Sequence, residues 1–433
     1  MMTMVIHDSY SRRKVELPAP PGRLGMYFCG PTVYQRIHIG NARPFVLSMW
    51  LKGWLTLRGY DVKLAENVTD INDRIYVAAR AQGIGSAELA RQATAWYIED
   101  TSALGLGRPD TEPLASETVT EIIALTSELM SRGLAYQAGG DVYYRVARFP
   151  EYGRLSGVQR EAMIAQEPED RKEDPRDFAL WKTWKADEDT WWDSPWGRGR
   201  PGWHIECSAM AEKHLGTGFD IHGGGLDLRF PHHENELAQS RGAGREFARW
   251  WLHNGMIEMG AEKMSKSLGN IVPLRDALDR WGREAILVFF MGAHYRSPIE
   301  YSEASLQAAR AQADDFRNAF RVAAARPSDL TWEHLAAALD DDFDTPRALA
   351  ILHGWRAAGR LDLLARGLAV FGLAIDQGGT DRSPEASRLA EERQAARARR
   401  DYAEADRLRG QIEGLGWEVQ DIPGGFRLIP KTG

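Results

Sequence analysis

The chain has 433 residues, of which 43% are hydrophobic, 27% charged and 10% aromatic, and this excludes a disordered, collagen-like or disulfide-stapled protein. Its length exceeds the roughly 250–300 residues at which one hydrophobic core stops growing, so two or more domains are expected. Lysine and arginine total 54 against 61 acidic residues, a formal charge of −7, so any polyanion site has to be a local patch.

Two cysteines, Cys29 and Cys207, are too few for a disulfide framework and fit a reducing compartment. The opening MMTMVIHDSYSRRK has no apolar core of signal-peptide length, and no later run approaches the ~18 uncharged apolar residues of a membrane span. A soluble, cytoplasmic protein without a membrane partner is expected.

In chain order, LGMYFCG reads as a short buried strand closed by Gly30 and Pro31, and a helical pattern is predicted from Pro44 to Gly59. DVKLAENVTD alternates as a second strand and INDRIYVAARAQG returns to helical period. This β-α-β-α order argues for an α/β fold with a parallel sheet. Residues 137–200 break the rhythm, with GDVYYRV and FALWKTW as strands around a polar loop, and read as an insertion. The tryptophans crowded into WKTWKADEDTWWDSPWG read as a surface layer of packed aromatics. The βα rhythm resumes with WHIECSAMAEKHLG as helix, GFDIHGGG as strand and PHHENELAQSRGAG as helix.

From Tyr301 the chain turns helical, with Leu306, Ala309, Ala313, Phe316 and Phe320 along one stripe, the signature of a helix bundle. In DDDFDTP a calcium loop starting at Asp340 would need glycine at Thr345 and glutamate at Ile351, so helix capping by Asp344 or Thr345 ahead of Pro346 is expected instead. Residues 376–384 read as a linker. The tail, 385–433, is predicted as one charged helix bearing Arg393, Arg397, Arg399, Arg400, Arg407 and Arg409, followed by a small hairpin. Its nine basic and nine acidic residues cancel.

Zinc takes thiolate, imidazole and carboxylate donors. Cys29 at a strand end, Cys207 near a helix start, and His232 and Glu236 four apart on one helical face are candidate ligands, with His233 pointing elsewhere. Buried small hydrophobes, the more common fate of cysteine, with a surface pair of His232 and Glu236 are the plainer account of these four residues taken alone, because no short CxxC pair supports zinc. HIGN, from His38 through Gly40 to Asn41, sits at a strand-to-helix junction where small Gly40 permits close backbone approach and a helix start attracts phosphate. KMSKSLGN, residues 263–270, sets Lys263 and Lys266 in a polar loop suited to following a triphosphate's charge. Such a pentapeptide arises by chance in a chain this long about once in ten thousand cases.

HIGN and KMSKS together form the paired signature of class I aminoacyl-tRNA synthetases. FCGPTVY, GRPGWHIECSAM, FDIHGGGLDL and FPHHENE narrow the resemblance to the cysteinyl-tRNA synthetases, over about residues 26–302. The resemblance implies a Rossmann-like parallel sheet in two halves, 1–136 and 201–300, around a connective insertion at 137–200. A helical bundle at 301–375 and a small tail domain would follow, the tail arginines touching tRNA or forming a solvated face. It implies one zinc per chain on Cys29, Cys207, His232 and Glu236, and ATP with Mg²⁺, L-cysteine and tRNA(Cys) as partners of a monomer. By the same resemblance His38, Asn41, Lys263 and Lys266 serve the phosphates, and Gly40 with His222, Gly223, Gly224 and Asp227 the nucleotide. Gly30, Thr69 and Trp203 would line the amino-acid pocket, although Trp203 reads equally as core packing.

The implied reaction is attack of cysteine on the α-phosphate of ATP, then transfer to tRNA, with zinc separating cysteine from serine. Three other readings compete: a mycothiol-type ligase that passes cysteine to an amino-sugar, a non-catalytic tRNA-binding paralogue, and a zinc hydrolase. The last lacks a HExxH-type pair.

Overall fold

Alternating strands and helices build the first part of the chain. In the computed structural model, which describes residues 3–159, 171–260, 262–263, 271–320, 329–373, 384–422 and 425–430, a hairpin of β1 (Val5–Asp8) and β2 (Arg13–Glu16) precedes β3 (Arg23–Phe28). Next come α1 (Ile39–Leu57), β4 (Asp61–Glu66), α2 (Asp73–Gln82), α3 (Ser86–Ser102) and α4 (Val119–Ser131). Four short strands, β5 (Ala135–Ala138), β6 (Asp141–Tyr144), β7 (Phe178–Thr183) and β8 (Gly199–Pro201), lead to α5 (Trp203–Leu215), β9 (Ile221–Gly225), α6 (Glu234–Gly242) and β10 (Trp250–Asn254).

Strands β10, β9, β3 and β4 form one parallel sheet in that order. The chain leaves β3 toward β4 on one side and returns to β9 on the other. A crevice therefore opens beyond the carboxyl ends of β3 and β9, where such folds bind ligands. Both strand ends are buried. Gly223 is required there, because a Cβ at that position would lie 2.3 Å from the Phe28 ring. The predicted insertion is a separate antiparallel sheet, β5-β6-β7-β8. Its tryptophans pair with one another, Trp181 with Trp196 at 5.9 Å and half-exposed Trp184 with Trp191 at 5.6 Å between ring centroids.

Helix α1 begins at Ile39, five residues before the predicted start. His38 and Asn41 close its first turn, the Asn41 amide donating to the His38 carbonyl at 2.9 Å, and Pro44 in its second turn forgoes only one backbone bond.

The rest of the first unit comprises β11 (Ile257–Met259), β12 (Glu262–Lys263), α7 (Leu274–Trp281), α8 (Arg283–Met291), β13 (Ile299–Glu300), α9 (Glu303–Ala319), α10 (Trp332–Asp340), α11 (Thr345–Ala357) and α12 (Leu361–Val370). Leu306, Ala309, Ala313 and Phe316 are buried as the stripe predicts, with Phe320 at the edge. Asp344 caps α11 by accepting from the Arg347 amide at 3.1 Å. Asp342 accepts from Tyr295 Oη at 2.7 Å and the His7 amide at 2.8 Å, so the acidic run braces the helices against the N-terminal hairpin.

The chain divides into two compact units, Met1–Leu373 and Ala374–Gly433. The predicted linker lies outside the described residues except for Pro384. The tail's expected single helix is two, α13 (Pro384–Ala398) and α14 (Tyr402–Gly414). Arg400 at φ 64° breaks them and Asp401 caps the second. The hairpin β14 (Trp417–Ile422) and β15 (Gly425–Pro430) follows as predicted.

Beneath α1, Glu66 is buried and accepts from Tyr97 Oη at 2.6 Å and Ser48 Oγ at 3.1 Å. Burial raises its carboxyl to about 7, against the pull of those two donors. A carboxyl whose folded-state value exceeds its unfolded value stabilises fully at low pH and loses that contribution as pH rises through the folded value. The melting temperature of the wild-type protein relative to Glu66→Gln should therefore fall between pH 5 and pH 8, by up to about 3 kcal/mol of stability. A constant difference across that range would contradict this assignment.

Candidate metal centre and substrate cleft

Four segments converge at the carboxyl end of β3. Cys29 follows that strand, Cys207 is on α5, His232 lies in an irregular turn before α6, and Glu236 is in the first turn of α6. One donor atom from each lies within 4.8 Å of the others, and all four side chains are buried. The Cys29 thiol reaches Glu236 Oε1 at 3.6 Å, and His232 Nε2 is 3.2 Å from the same oxygen. Cys207 donates to Asn67 Oδ1 at 3.6 Å. Asn67 Oδ1 also accepts from the Gly30 amide at 3.0 Å, and its Nδ2 donates to Thr69 Oγ1 at 3.2 Å. One side chain after β4 thus ties together Gly30, Thr69 and Cys207.

Neither bland reading of these residues describes the site. His232 and Glu236 are not a surface pair, and the thiols face polar donors rather than apolar packing alone. Burial pushes both thiols above their ordinary range, and it pushes His232 down to about 3, leaving a neutral imidazole. A divalent cation reverses the tendency of the thiols and uses the imidazole as it stands. The donor set fits a four-coordinate metal.

Histidines surround this cluster. His204 Nδ1 is 2.8 Å from His232 Nδ1, His222 Nε2 is 2.9 Å from Glu236 Oε2, and His233 Nδ1 is 2.8 Å from His253 Nε2. Burial lowers His204 to about 3, and His233 and His253 well below their ordinary range. His233, expected to point elsewhere, instead brings a ring nitrogen within 4.8 Å of donor atoms of Cys29, His222 and Glu236, a second group of four that shares two members with the first. His222 is fully buried behind Glu236, where its ring can orient that carboxylate. Gly223 and Gly224 are buried at the same strand end, and Asp227 is exposed in the turn beyond.

A cavity of about 370 Å³ opens beside the cluster, lined by Thr32, Trp203, His204, Glu206, Phe230 and Asn235 among others. Trp203 is 37% exposed, which removes the core-packing alternative, and its ring stacks on His232 at 4.4 Å. Thr69 is buried, with its hydroxyl beside Glu206. Burial, with Asp70 nearby, raises the Glu206 carboxyl well above its ordinary range, against the opposing pull of Arg200, the Thr69 hydroxyl and Lys182. Sequence reading passed over Glu206, His204 and His253. For Glu206 the available signal was its place between Trp203 and Cys207 on one helix face.

HIGN lies at the N-terminus of α1, with Asn41 exposed and His38 and Gly40 half-buried. A Cβ on Gly40 would come within 2.8 Å of His38 Nδ1. The Ile39 amide donates to the Val272 carbonyl at 3.0 Å and the Leu274 amide to the Ile37 carbonyl at 2.9 Å, so the chain that leaves KMSKSLGN runs beside HIGN. Lys266 lies outside the described residues, and of Lys263 only the backbone, in β12, is described. No helix among the described residues is long and apolar enough to cross a membrane.

A family model described as the catalytic domain of class I (C) tRNA synthetases matches residues 16–311. Solved structures agree on the fold. The chain is similar to methionyl-tRNA synthetase from Mycobacterium tuberculosis, at 16% identity and TM-score 0.55 over 90% of this chain and 88% of that one. It is also similar to LeuRS from Agrobacterium radiobacter K84, at 12% identity and TM-score 0.59 over 84% and 86%. The parallel sheet, the insertion and the HIGN helix start place the chain among the class I aminoacyl-tRNA synthetases. Curated relatives named cysteine–tRNA ligase, from Parvibaculum lavamentivorans and Methylobacillus flagellatus, are 43% and 42% identical, covering 97–98% of both chains. The chain belongs to the cysteine–tRNA ligase family.

Proposed function

We propose that this chain activates L-cysteine with ATP and transfers it to the 3′ end of tRNA(Cys), with one zinc ion held by Cys29, Cys207, His232 and Glu236. The observation that carries this reading is the meeting of two thiols, an imidazole and a carboxylate within 4.8 Å in a buried site beside the cleft. Bound zinc supplies a Lewis-acid position that a thiolate occupies far better than an alcohol. Serine differs from cysteine only by oxygen for sulfur, and shape discriminates such isosteres poorly. A 10⁴-fold preference corresponds to about 5.5 kcal/mol, within reach of one ligand bond.

The protein's own groups have little covalent work to do. They must hold the cysteine carboxylate in line with the α-phosphate and offset charge on the departing pyrophosphate. The N-terminus of α1 with exposed Asn41 supports phosphate binding, with Mg²⁺ accompanying ATP. Gly223 and Gly224 at the carboxyl end of β9, with Asp227 in the turn beyond, support a nucleoside contact. Lys263 and Lys266 are assigned to the β- and γ-phosphates because the chain that follows KMSKSLGN, at Val272 and Leu274, pairs with Ile39 and Ile37 on either side of His38. Lys266→Ala should slow adenylate formation by roughly 10²–10³-fold while cysteine affinity stays within about 3-fold. A normal single-turnover rate would remove this role.

In the tail, Arg393 and Arg397 pair with Asp421, Arg407 with Glu404 and Arg409 with Glu413. Of the six arginines, Arg399 and Arg400 at the α13–α14 turn are exposed and make no ion pair among the described residues, and these two are assigned to tRNA phosphates.

Cysteine-dependent ATP–pyrophosphate exchange without tRNA, followed by charging of tRNA(Cys), tests the reading. Exchange and charging are both expected. Metal-replete protein that binds tRNA without exchange would contradict it.

A further inference from the structure

Trp203, Glu206 and Cys207 share one face of α5, at spacings of three and four residues. Cys207 belongs to the metal cluster, while Trp203 and Glu206 line the cavity beside it. Glu206 is fully buried, and among the described residues neither of its carboxylate oxygens has a hydrogen-bond partner at normal distance. The Thr69 hydroxyl stands beside it. The two cations that act on it are committed elsewhere, Lys182 to Asp73 at 3.0 Å, and Arg200 to Asp73 and to Glu188 at 3.0 Å.

A buried acid without a partner is costly, and one set on the wall of a ligand cavity matches a cationic group on the ligand. If the metal takes the thiol and the carboxylate turns toward the α-phosphate, the group of cysteine left without a receptor is its α-ammonium. We propose that Glu206 receives the α-ammonium of cysteine. A metal alone would accept any small thiolate, so a second anchor is needed to refuse thiol acids that lack the amine. Glu206 sits one residue from a metal ligand on the same rigid helix, which fixes the distance between the two anchors.

This inference rests on the zinc reading, and its test separates the two. Calorimetric binding of L-cysteine and of 3-mercaptopropionate, which lacks only the amine, is compared for wild type, Glu206→Gln and Glu206→Asp, with zinc measured on the same samples. The wild type should prefer cysteine by at least about 30-fold. Glu206→Gln should reduce that preference below about 3-fold by weakening cysteine alone, with zinc content and 3-mercaptopropionate affinity unchanged. Should the glutamine variant fail to fold, the shortened Glu206→Asp must still lose cysteine affinity selectively. A wild-type preference below about 3-fold, a preserved preference in the variants, or equal weakening of both thiols would overturn the assignment. Missing zinc in the wild type would instead overturn the metal reading, and a surviving preference for the amine would still support Glu206.

Discussion

Replacing Cys207 with serine should strip most of the zinc from the protein and reduce its preference for cysteine over serine by about 10³-fold or more, while the KM for ATP changes less than about 3-fold. The substitution is nearly isosteric, so the packing of α5 against the sheet survives and the loss can be read at the metal. Loss of an outer-shell partner alone typically costs 10–100-fold in metal affinity, so loss of a direct ligand should exceed that. The ATP side should be spared because HIGN is held through backbone bonds to the chain that follows KMSKSLGN. Metal analysis with pyrophosphate exchange against both amino acids reads the three quantities together. Unchanged zinc would remove Cys207 from the ligand set.

Gly30→Ala should cost roughly 2–4 kcal/mol of stability and lower kcat/KM for cysteine by about 10²-fold or more. A Cβ at Gly30 would stand 1.8 Å from the Asn67 carbonyl oxygen and 2.9 Å from its carbon. Both are backbone atoms, so the end of β4 has to move. Asn67 also holds Thr69 and Cys207, and Gly30 follows Cys29 directly, so the displacement falls on two metal ligands and the pocket behind them. Thermal unfolding and exchange kinetics measure the two effects. Normal cysteine activation by a stable Gly30→Ala protein would show that this junction is looser than the contacts require.

The strands and helices of the sheet were legible because their periods are strong and their order is β-α-β-α. The four metal ligands were candidates from residue type and the His232–Glu236 spacing, but only the resemblance joined them into one set: Cys29 and Cys207 are 178 positions apart, and no local spacing shows that α5 brings one to the end of the other's strand. The surroundings of His222 were hidden for a related reason. Alternation says that IHGGG turns successive side chains to opposite faces, but not that α6 and its Glu236 cover the face His222 takes. The start of α1 was obscured by Pro44, which looks like a first-turn proline until His38 and Asn41 are seen closing the turn ahead of it. The break at Arg400 needed a left-handed residue that glycine or asparagine would have announced and arginine does not. Glu206 carries no motif signal of its own. Its position matters only once Trp203, Cys207 and the cavity are in one place.

The most direct test of the metal centre is X-ray absorption at the zinc edge of the purified protein, with and without L-cysteine. The account predicts two sulfur neighbours with two nitrogen or oxygen neighbours in the free protein, and a third sulfur when cysteine is added. A sulfur count that stays at two with cysteine saturating the site, or a zinc ion with no sulfur neighbour, would contradict it.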